Sequence, residues 1–264
     1  MADAPKKKVV RVEETADEKA AESAAATTGA TWTPTPEAKK KATTFRILAV
    51  VLWLLAIGTE AFTIFWVLKQ NPINMILLIG LLVVIAALAI GGSLLWKQSN
   101  RLDPASKSEP VRFFVQNQLG VIISAIAFIP LIILIFTNKN MSGQQKAIAG
   151  IIAIVLLGAS GTVGASFNPP STEQYASETQ TVTDATGGQN LVYWTKTGKV
   201  FHLCAAASAV NLQSKDNTIY SGTVAEAHAA GKSRLTLQVE QERKQCGFEP
   251  TDSPSAAVSA SPTP

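Results

Sequence analysis

The chain has 264 residues, of which 47% are hydrophobic, and its mean hydropathy is +0.20. Its 23 basic and 19 acidic residues lie mostly towards the two ends, whereas residues 47–165 contain four long apolar runs. This distribution excludes an ordinary soluble protein, in which apolar residues recur periodically along the chain. The balanced charge of both ends also excludes a basic tail of the kind that binds nucleic acid.

The N-terminal region, residues 1–44, is rich in Ala, Thr, Glu, Lys and Pro and has almost no large apolar side chains. Such a composition buries too little surface to offset the chain entropy lost on folding. We therefore expect this region to be disordered. The first apolar run begins only after about 45 polar residues, so we expect no secretory signal peptide.

The four apolar runs cover residues 47–68, 75–96, 119–136 and 147–165. Each has about the 17–25 residues that a helix needs to cross a hydrocarbon core of about 30 Å. Helices are expected because an open strand would leave backbone groups unpaired in lipid. Residues 45–166 are thus predicted to form four transmembrane helices of a multi-pass protein of the cell membrane.

The orientation of these spans is predicted from the Lys and Arg residues beside them. Eight lie on the side of the N-terminus and three on the other side. This count places the N-terminus in the cytoplasm, and four spans return the C-terminal domain to the cytoplasm. The flank after the fourth span conflicts with this placement, because residues 166–193 contain acidic residues but no Lys or Arg.

Glu60 is a carboxyl group near the middle of the first span, where such residues usually face a bundle interior or a water-filled path. The spans contain no Lys, Arg or His to pair with it. It is expected either to take part in a proton or cation step, or to be a neutral side chain that hydrogen-bonds to hydroxyl groups of the bundle. The candidate partners are Ser93, Ser124, Ser160 and Thr162.

Small residues spaced by four in the fourth span also indicate close helix packing. These pairs are Ala149 and Ala153, Gly158 and Thr162, and Ser160 and Gly164.

Residues 167–189 are rich in Ser, Thr, Pro and Gly and are predicted to be a flexible linker, and residues 250–264 a disordered tail. Between them, residues 190–249 are predicted to be a small ββα domain. Alternating apolar residues around 196–199 indicate a β-hairpin, and Thr223 with Glu226 forms a capping box that starts a helix. The fold class is therefore a membrane all-α four-helix bundle with a small C-terminal α+β domain and disordered ends.

The hairpin carries Thr195, Thr197, Gly198, Phe201 and His202, in the pattern Thr-x-Thr-Gly-x-x-Phe-His. This pattern resembles a short His/Cys domain of bacterial envelope and secreted proteins, and the match covers about a fifth of the chain. The resemblance implies a metal-binding role for the His and Cys residues. This chain departs from the pattern in having Cys204 two residues after His202 and a single later cysteine. The whole chain also resembles uncharacterised actinobacterial four-helix membrane proteins, which implies no activity.

All His and Cys residues of the chain fall within this domain: His202, Cys204, His228 and Cys246. Two imidazoles and two thiols match the four nitrogen or sulfur ligands that zinc favours, so one hypothesis is a zinc site. A second is a Cys204–Cys246 disulfide, which requires an oxidising compartment. A third is two free thiols and two histidines without a metal.

We find no phosphate-binding loop, no metalloprotease motif and no nucleophile elbow, so an enzyme is not expected. The leading hypothesis is a structural or interaction component of the bacterial envelope that displays a small binding domain. The alternatives are an oligomeric transporter or channel subunit that uses Glu60, and a membrane-anchored metal-binding domain. The expected partners are the lipid bilayer and either a membrane protein or further copies of the chain, but no nucleic acid.

Overall fold

The computed structural model describes residues 7–12, 32–214 and 216–248. The chain divides into two compact units. The helical unit is Trp32–Glu173, and the terminal unit combines the chain's two ends, Met1–Thr31 and Gln174–Pro264. The predicted disorder of residues 13–31 and of the tail 250–264 lies outside the described residues.

The helical unit consists of α1 (Pro36–Phe65), a 3-10 turn (Val67–Lys69), α2 (Met75–Leu102), α3 (Pro110–Thr137) and α4 (Gly143–Gly164). All four α-helices are long and apolar enough to cross a membrane. Helix α2 packs against each of the other three, while α1 and α4 lie on either side of it. The predicted four-helix bundle is therefore confirmed.

The helices extend beyond the apolar runs because polar caps start them. Helix α1 begins at Pro36, where the Thr35 hydroxyl accepts a hydrogen bond from the Ala38 amide at 3.1 Å. Helix α4 begins with a capping box formed by Ser142 and Gln145. Such caps satisfy amide groups that the first helical turn leaves without a partner. The predicted disorder of residues 1–44 is thus wrong for residues 36–44, which are helical.

Small residues allow α3 and α4 to approach each other closely. A Cβ atom added to Gly164 would lie 2.5 Å from the Gly120 carbonyl carbon, which is closer than real Cβ contacts come. The predicted small-residue pairs fall on two faces of α4. The buried face carries Ala149, Ala153, Ser160 and Gly164, whereas Gly158 and Thr162 are exposed.

Polar contacts gather where α1 and α3 begin and α2 and α4 end. Arg46 forms an ion pair with Asp103 at 2.8 Å. The Trp96 indole donates to the Gln116 carbonyl at 2.7 Å, and the Lys97 ammonium donates to the Ala165 carbonyl at 2.7 Å. These contacts satisfy polar groups at one end of an otherwise apolar bundle.

The α2–α3 loop is bound by the Glu173 carboxylate, which accepts hydrogen bonds from the Ser106 hydroxyl and from the Lys107 amide. Burial raises the pKa of Glu173, but these hydrogen bonds outweigh burial and lower the pKa to about 2. The carboxylate is therefore ionised at neutral pH, the form that accepts hydrogen bonds most strongly.

The terminal unit is a small α+β domain, in agreement with the predicted fold class. Strand β1 (Lys8–Arg11) pairs in parallel with β4 (Thr218–Gly222), which pairs antiparallel with β2 (Val192–Trp194). Strands β3 (Val200–Phe201) and β5 (Arg234–Leu235) form a second, parallel pair. The helices are α5 (Thr172–Thr186), α6 (Ser208–Gln213), α7 (Val224–Ala229) and α8 (Val239–Cys246).

Two predictions for this unit are wrong. The predicted linker 167–189 contains helix α5, whose Tyr175 and Val182 side chains are fully buried in the domain. The predicted N-terminal disorder is also wrong at β1, which is an edge strand of the domain's sheet.

The predicted capping box of Thr223 and Glu226 is confirmed at the start of α7. The predicted hairpin is confirmed only as one antiparallel bridge, with reciprocal 2.8 Å backbone hydrogen bonds between Tyr193 and His202, because β2 and β3 belong to different sheets.

Candidate functional site

Helix α8 is joined to the segment after β3 by two parallel cross-links. Cys204 forms a disulfide with Cys246, with Cα atoms 6.0 Å apart and a sequence separation of 42. His202 Nδ1 lies 2.6 Å from Glu242 Oε1. Two residues of extended chain span about 6.6 Å and four residues of helix span about 6 Å, so the two cross-links match in spacing. Closing a loop of this size stabilises a fold by about 4 kcal/mol in the chain-entropy model.

The His202–Glu242 pair is almost completely buried, with 3% of each side chain exposed. The second carboxylate oxygen of Glu242 accepts a hydrogen bond from the Leu203 amide at 3.0 Å. Because the carboxylate faces Nδ1, the ring is held with Nδ1 as the donor and Nε2 pointing away. Within the described part of the chain, this buried Nε2 has no hydrogen-bond partner.

A second histidine–carboxylate pair joins α5 to α7. His228 Nε2 lies 2.5 Å from Glu178 Oε2, and His228 Nδ1 donates to the Lys232 carbonyl at 3.0 Å. Tyr175 stacks on the His228 ring with centroids 3.9 Å apart, and the Phe201 ring meets it edge-on at 5.3 Å. Both ring nitrogens are thus occupied, and the imidazole serves as a core packing group.

Lys232 closes the hairpin loop of the Thr-x-Thr-Gly pattern. Its side chain is buried, and its ammonium donates to the carbonyls of Thr195 at 2.6 Å, Gly198 at 2.7 Å and Lys196 at 3.2 Å. The Thr195 hydroxyl accepts from the Gly198 amide at 3.1 Å. These contacts give the pattern a structural role, because a buried ammonium requires several acceptors. Sequence reasoning missed Lys232, since its acceptors lie more than thirty residues earlier in the chain.

The predicted four-ligand zinc site is wrong. The sulfur atoms of Cys204 and Cys246 are bonded to each other, and the two histidines pair with different carboxylates. Among the residues that the structure describes, no three His, Cys, Asp or Glu side chains are arranged to hold a metal ion. Of the alternatives that the sequence left open, the disulfide is the one that the structure contains.

Glu60 lies on the inward face of α1, with only 5% of the residue exposed. The predicted hydrogen bonds to neighbouring hydroxyls are wrong, because each of these hydroxyls donates to a carbonyl of its own helix. The four groups are Ser93, Ser124, Ser160 and Thr162. Within Trp32–Glu173, every residue of which is described, Glu60 Oε1 is buried and has no hydrogen-bond partner.

Strand β1 is attached to the free edge of β4. Its ladder is bounded by hydrogen bonds from the Lys8 amide to Asn217 at 3.0 Å and from the Val12 amide to Ser221 at 2.8 Å. Three of its four side chains are exposed, and 48% of Val9 is accessible. Main-chain pairing with little side-chain burial is typical of an added edge strand.

A shallow groove of about 210 Å³ lies beside this strand. Its walls include Val12 just after β1 and the stacked rings of Trp194 and Tyr220, whose centroids are 6.5 Å apart. The exposed side chain of Lys196 lies at its rim. An apolar floor with a cationic rim suits the side chains of an extended peptide.

Comparison with known proteins adds no function to this geometry: the chain matches no protein-family model, no curated protein and no solved structure.

Proposed function

We propose that the protein is a multi-pass protein of the bacterial cell membrane that displays a small interaction domain and has a non-enzymatic, structural role. Four helices that are long and apolar enough to cross a membrane support the membrane location. Only 28–33% of the most apolar stretch of each helix is buried within the protein, so most of its apolar surface faces outward. A lipid bilayer is the environment that accommodates such a surface.

We propose that both ends of the chain face the cytoplasm. Strand β1 precedes the four helices and β4 follows them, yet the two strands pair in one unit, as an even number of spans allows. The Lys and Arg count beside the spans favours the cytoplasmic side. The disulfide weighs against this side, because disulfides are rare in reducing compartments, and thiol labelling distinguishes the two placements.

The binding role is supported above all by the pairing of β1 with β4. The domain holds an extended segment that lies about 210 residues away in sequence. It does so mainly through backbone hydrogen bonds, which impose little demand on the sequence of the added strand. We infer that the β4 edge and its groove bind extended segments, either the chain's own N-terminus or a strand of a membrane-protein partner or second copy.

Photo-crosslinking in intact cells tests this role. A photoreactive amino acid at Lys196, on the groove rim, is expected to give a crosslinked product in the full-length protein. Deletion of residues 2–12 frees the β4 edge and is expected to increase the yield of crosslinks to another chain.

The matched control places the photoreactive amino acid at Lys199, which is exposed three residues away on the same loop but does not line the groove. Equal crosslinking from Lys196 and Lys199, with and without residues 2–12, would contradict the proposed binding edge.

A further inference from the structure

Glu60 lies on the face of α1 whose other residues pack into the bundle interior. The inward face of this helix carries Trp53, Ala56, Glu60 and Thr63 at spacings of three and four. Ala56 and Thr63, one turn on either side, have no exposed surface. The Thr63 hydroxyl donates to the Thr59 carbonyl at 2.8 Å. The carboxyl group is therefore enclosed by side chains that supply it with no hydrogen bond.

Within the helical unit, every residue of which is described, no cationic side chain lies opposite this carboxyl group. The four apolar runs contain no other Asp, Glu, Lys, Arg or His. On the helices packed against α1, the charged residues of α2 and α3 are Lys97, Arg101 and Arg112, at the opposite end of the bundle. The charged residues at the near end are Lys69, Lys139 and Lys146, and the Lys69 ammonium lies 5.6 Å from the Phe65 ring centre.

An ionised carboxylate without a partner is very costly in a low-dielectric interior. The negative charge of Glu60 must therefore be neutralised by a bound cation. A metal cation takes several oxygen ligands. Glu60 supplies two, and the four apolar runs contain no other carboxylate or imidazole to complete a set of metal ligands. A proton needs only one oxygen atom, so a proton is the cation that fits this site.

We propose that Glu60 is a proton-binding site in the interior of the helical unit. Binding of the proton neutralises the carboxyl group and permits this face of α1 to pack into the bundle. Release of the proton leaves a buried charge on that face and opposes the packing. The proposal is independent of the interaction role of the terminal unit.

A hydrophobic carbodiimide reports on such a proton. The acid O–H adds across a C=N bond of the reagent, the proton passes to nitrogen, and acyl transfer then gives a stable N-acylurea that retains all atoms. Wild-type protein in liposomes is treated with dicyclohexylcarbodiimide at a series of pH values, and the peptide that contains residue 60 is weighed by mass spectrometry. We expect Glu60 to be modified in acidic buffer. Above the pH of half-titration, labelling is expected to fall about tenfold per pH unit, as for any single acid.

Two controls make the result specific. Glu60→Gln is expected to abolish the modification in that peptide, whereas Glu109→Gln, at an exposed carboxyl outside the apolar runs, is expected to leave it unchanged. A water-soluble carbodiimide is expected to spare Glu60. The proposal is overturned if wild-type Glu60 is unmodified in acidic buffer, if its labelling does not change with pH, or if the water-soluble reagent labels it equally well. These wild-type measurements remain decisive if Glu60→Gln fails to fold.

Discussion

Lys232 illustrates how a buried charge can organise a short loop. Its ammonium satisfies three carbonyl groups of residues 195–198, and the same residue's own carbonyl accepts from His228 Nδ1. One residue therefore connects the hairpin loop to the core histidine of α7. Fully satisfied polar networks of this kind rigidify the structure around them.

Lys232→Met is expected to destabilise the hairpin loop, because it leaves buried carbonyls without donors. The cost is on the order of 3 kcal/mol, at about 1–3 kcal/mol for each unsatisfied group. Hydrogen–deuterium exchange of the full-length protein checks this: amides of β2 and β3 should exchange about a hundredfold faster. The exposed Lys199→Met is the matched control, and equal exchange in the two variants would contradict the role of Lys232.

The His and Cys residues of the terminal unit could be singled out from the sequence, but the groups that they pair with could not. Confinement of all His and Cys residues to one short region correctly indicated that Cys204 and Cys246 could meet. The acids that engage the histidines, Glu178 and Glu242, come from segments without a recognisable motif. Their pairing depends on tertiary packing between elements distant in sequence, which no local pattern encodes.

The apolar runs predicted the four long helices, because a helix is the structure in which a single apolar segment pairs all its backbone polar groups in lipid. The ends of the helices were predicted less well, since polar residues capped by Thr35 or Ser142 continue the helix. Helix α5 was missed because its apolar residues are few. Tyr175, Val182 and Ala185 nevertheless lie at helical spacing, which is the pattern that could have revealed it.

The contact between α3 and α4 depends on glycine at two facing positions. A Cβ atom at Gly164 would meet backbone atoms of Gly120, which cannot rotate away. Gly164→Ala is therefore expected to lower the thermal stability of the detergent-solubilised protein, as measured by the fraction that remains monodisperse after heating. Gly158→Ala, with no atom within 4 Å, should be neutral or stabilising, since alanine favours helix by about 1 kcal/mol. Equal loss of stability in the two variants would show that the close approach is unimportant.

The accessibility of the two cysteines tests on which side of the membrane the terminal unit lies. With both ends in the cytoplasm, a membrane-impermeant thiol reagent applied after reduction of the disulfide should label Cys204 and Cys246 only in lysed cells. The Cys204→Ser/Cys246→Ser variant gives the background. Labelling of intact cells after treatment with a reductant would instead place the terminal unit outside and reverse the proposed orientation.

The pairing of β1 with β4 also sets an order of events during synthesis. The Val10 backbone is made about 210 residues before that of its partner Tyr220. At about 5–20 residues per second, the N-terminal segment must wait roughly 10–40 s before its partner strand exists. Throughout that interval the four helices of the helical unit are being made. Strand β1 therefore has no partner in the sheet until β4, the central strand that pairs with both β1 and β2, has been made.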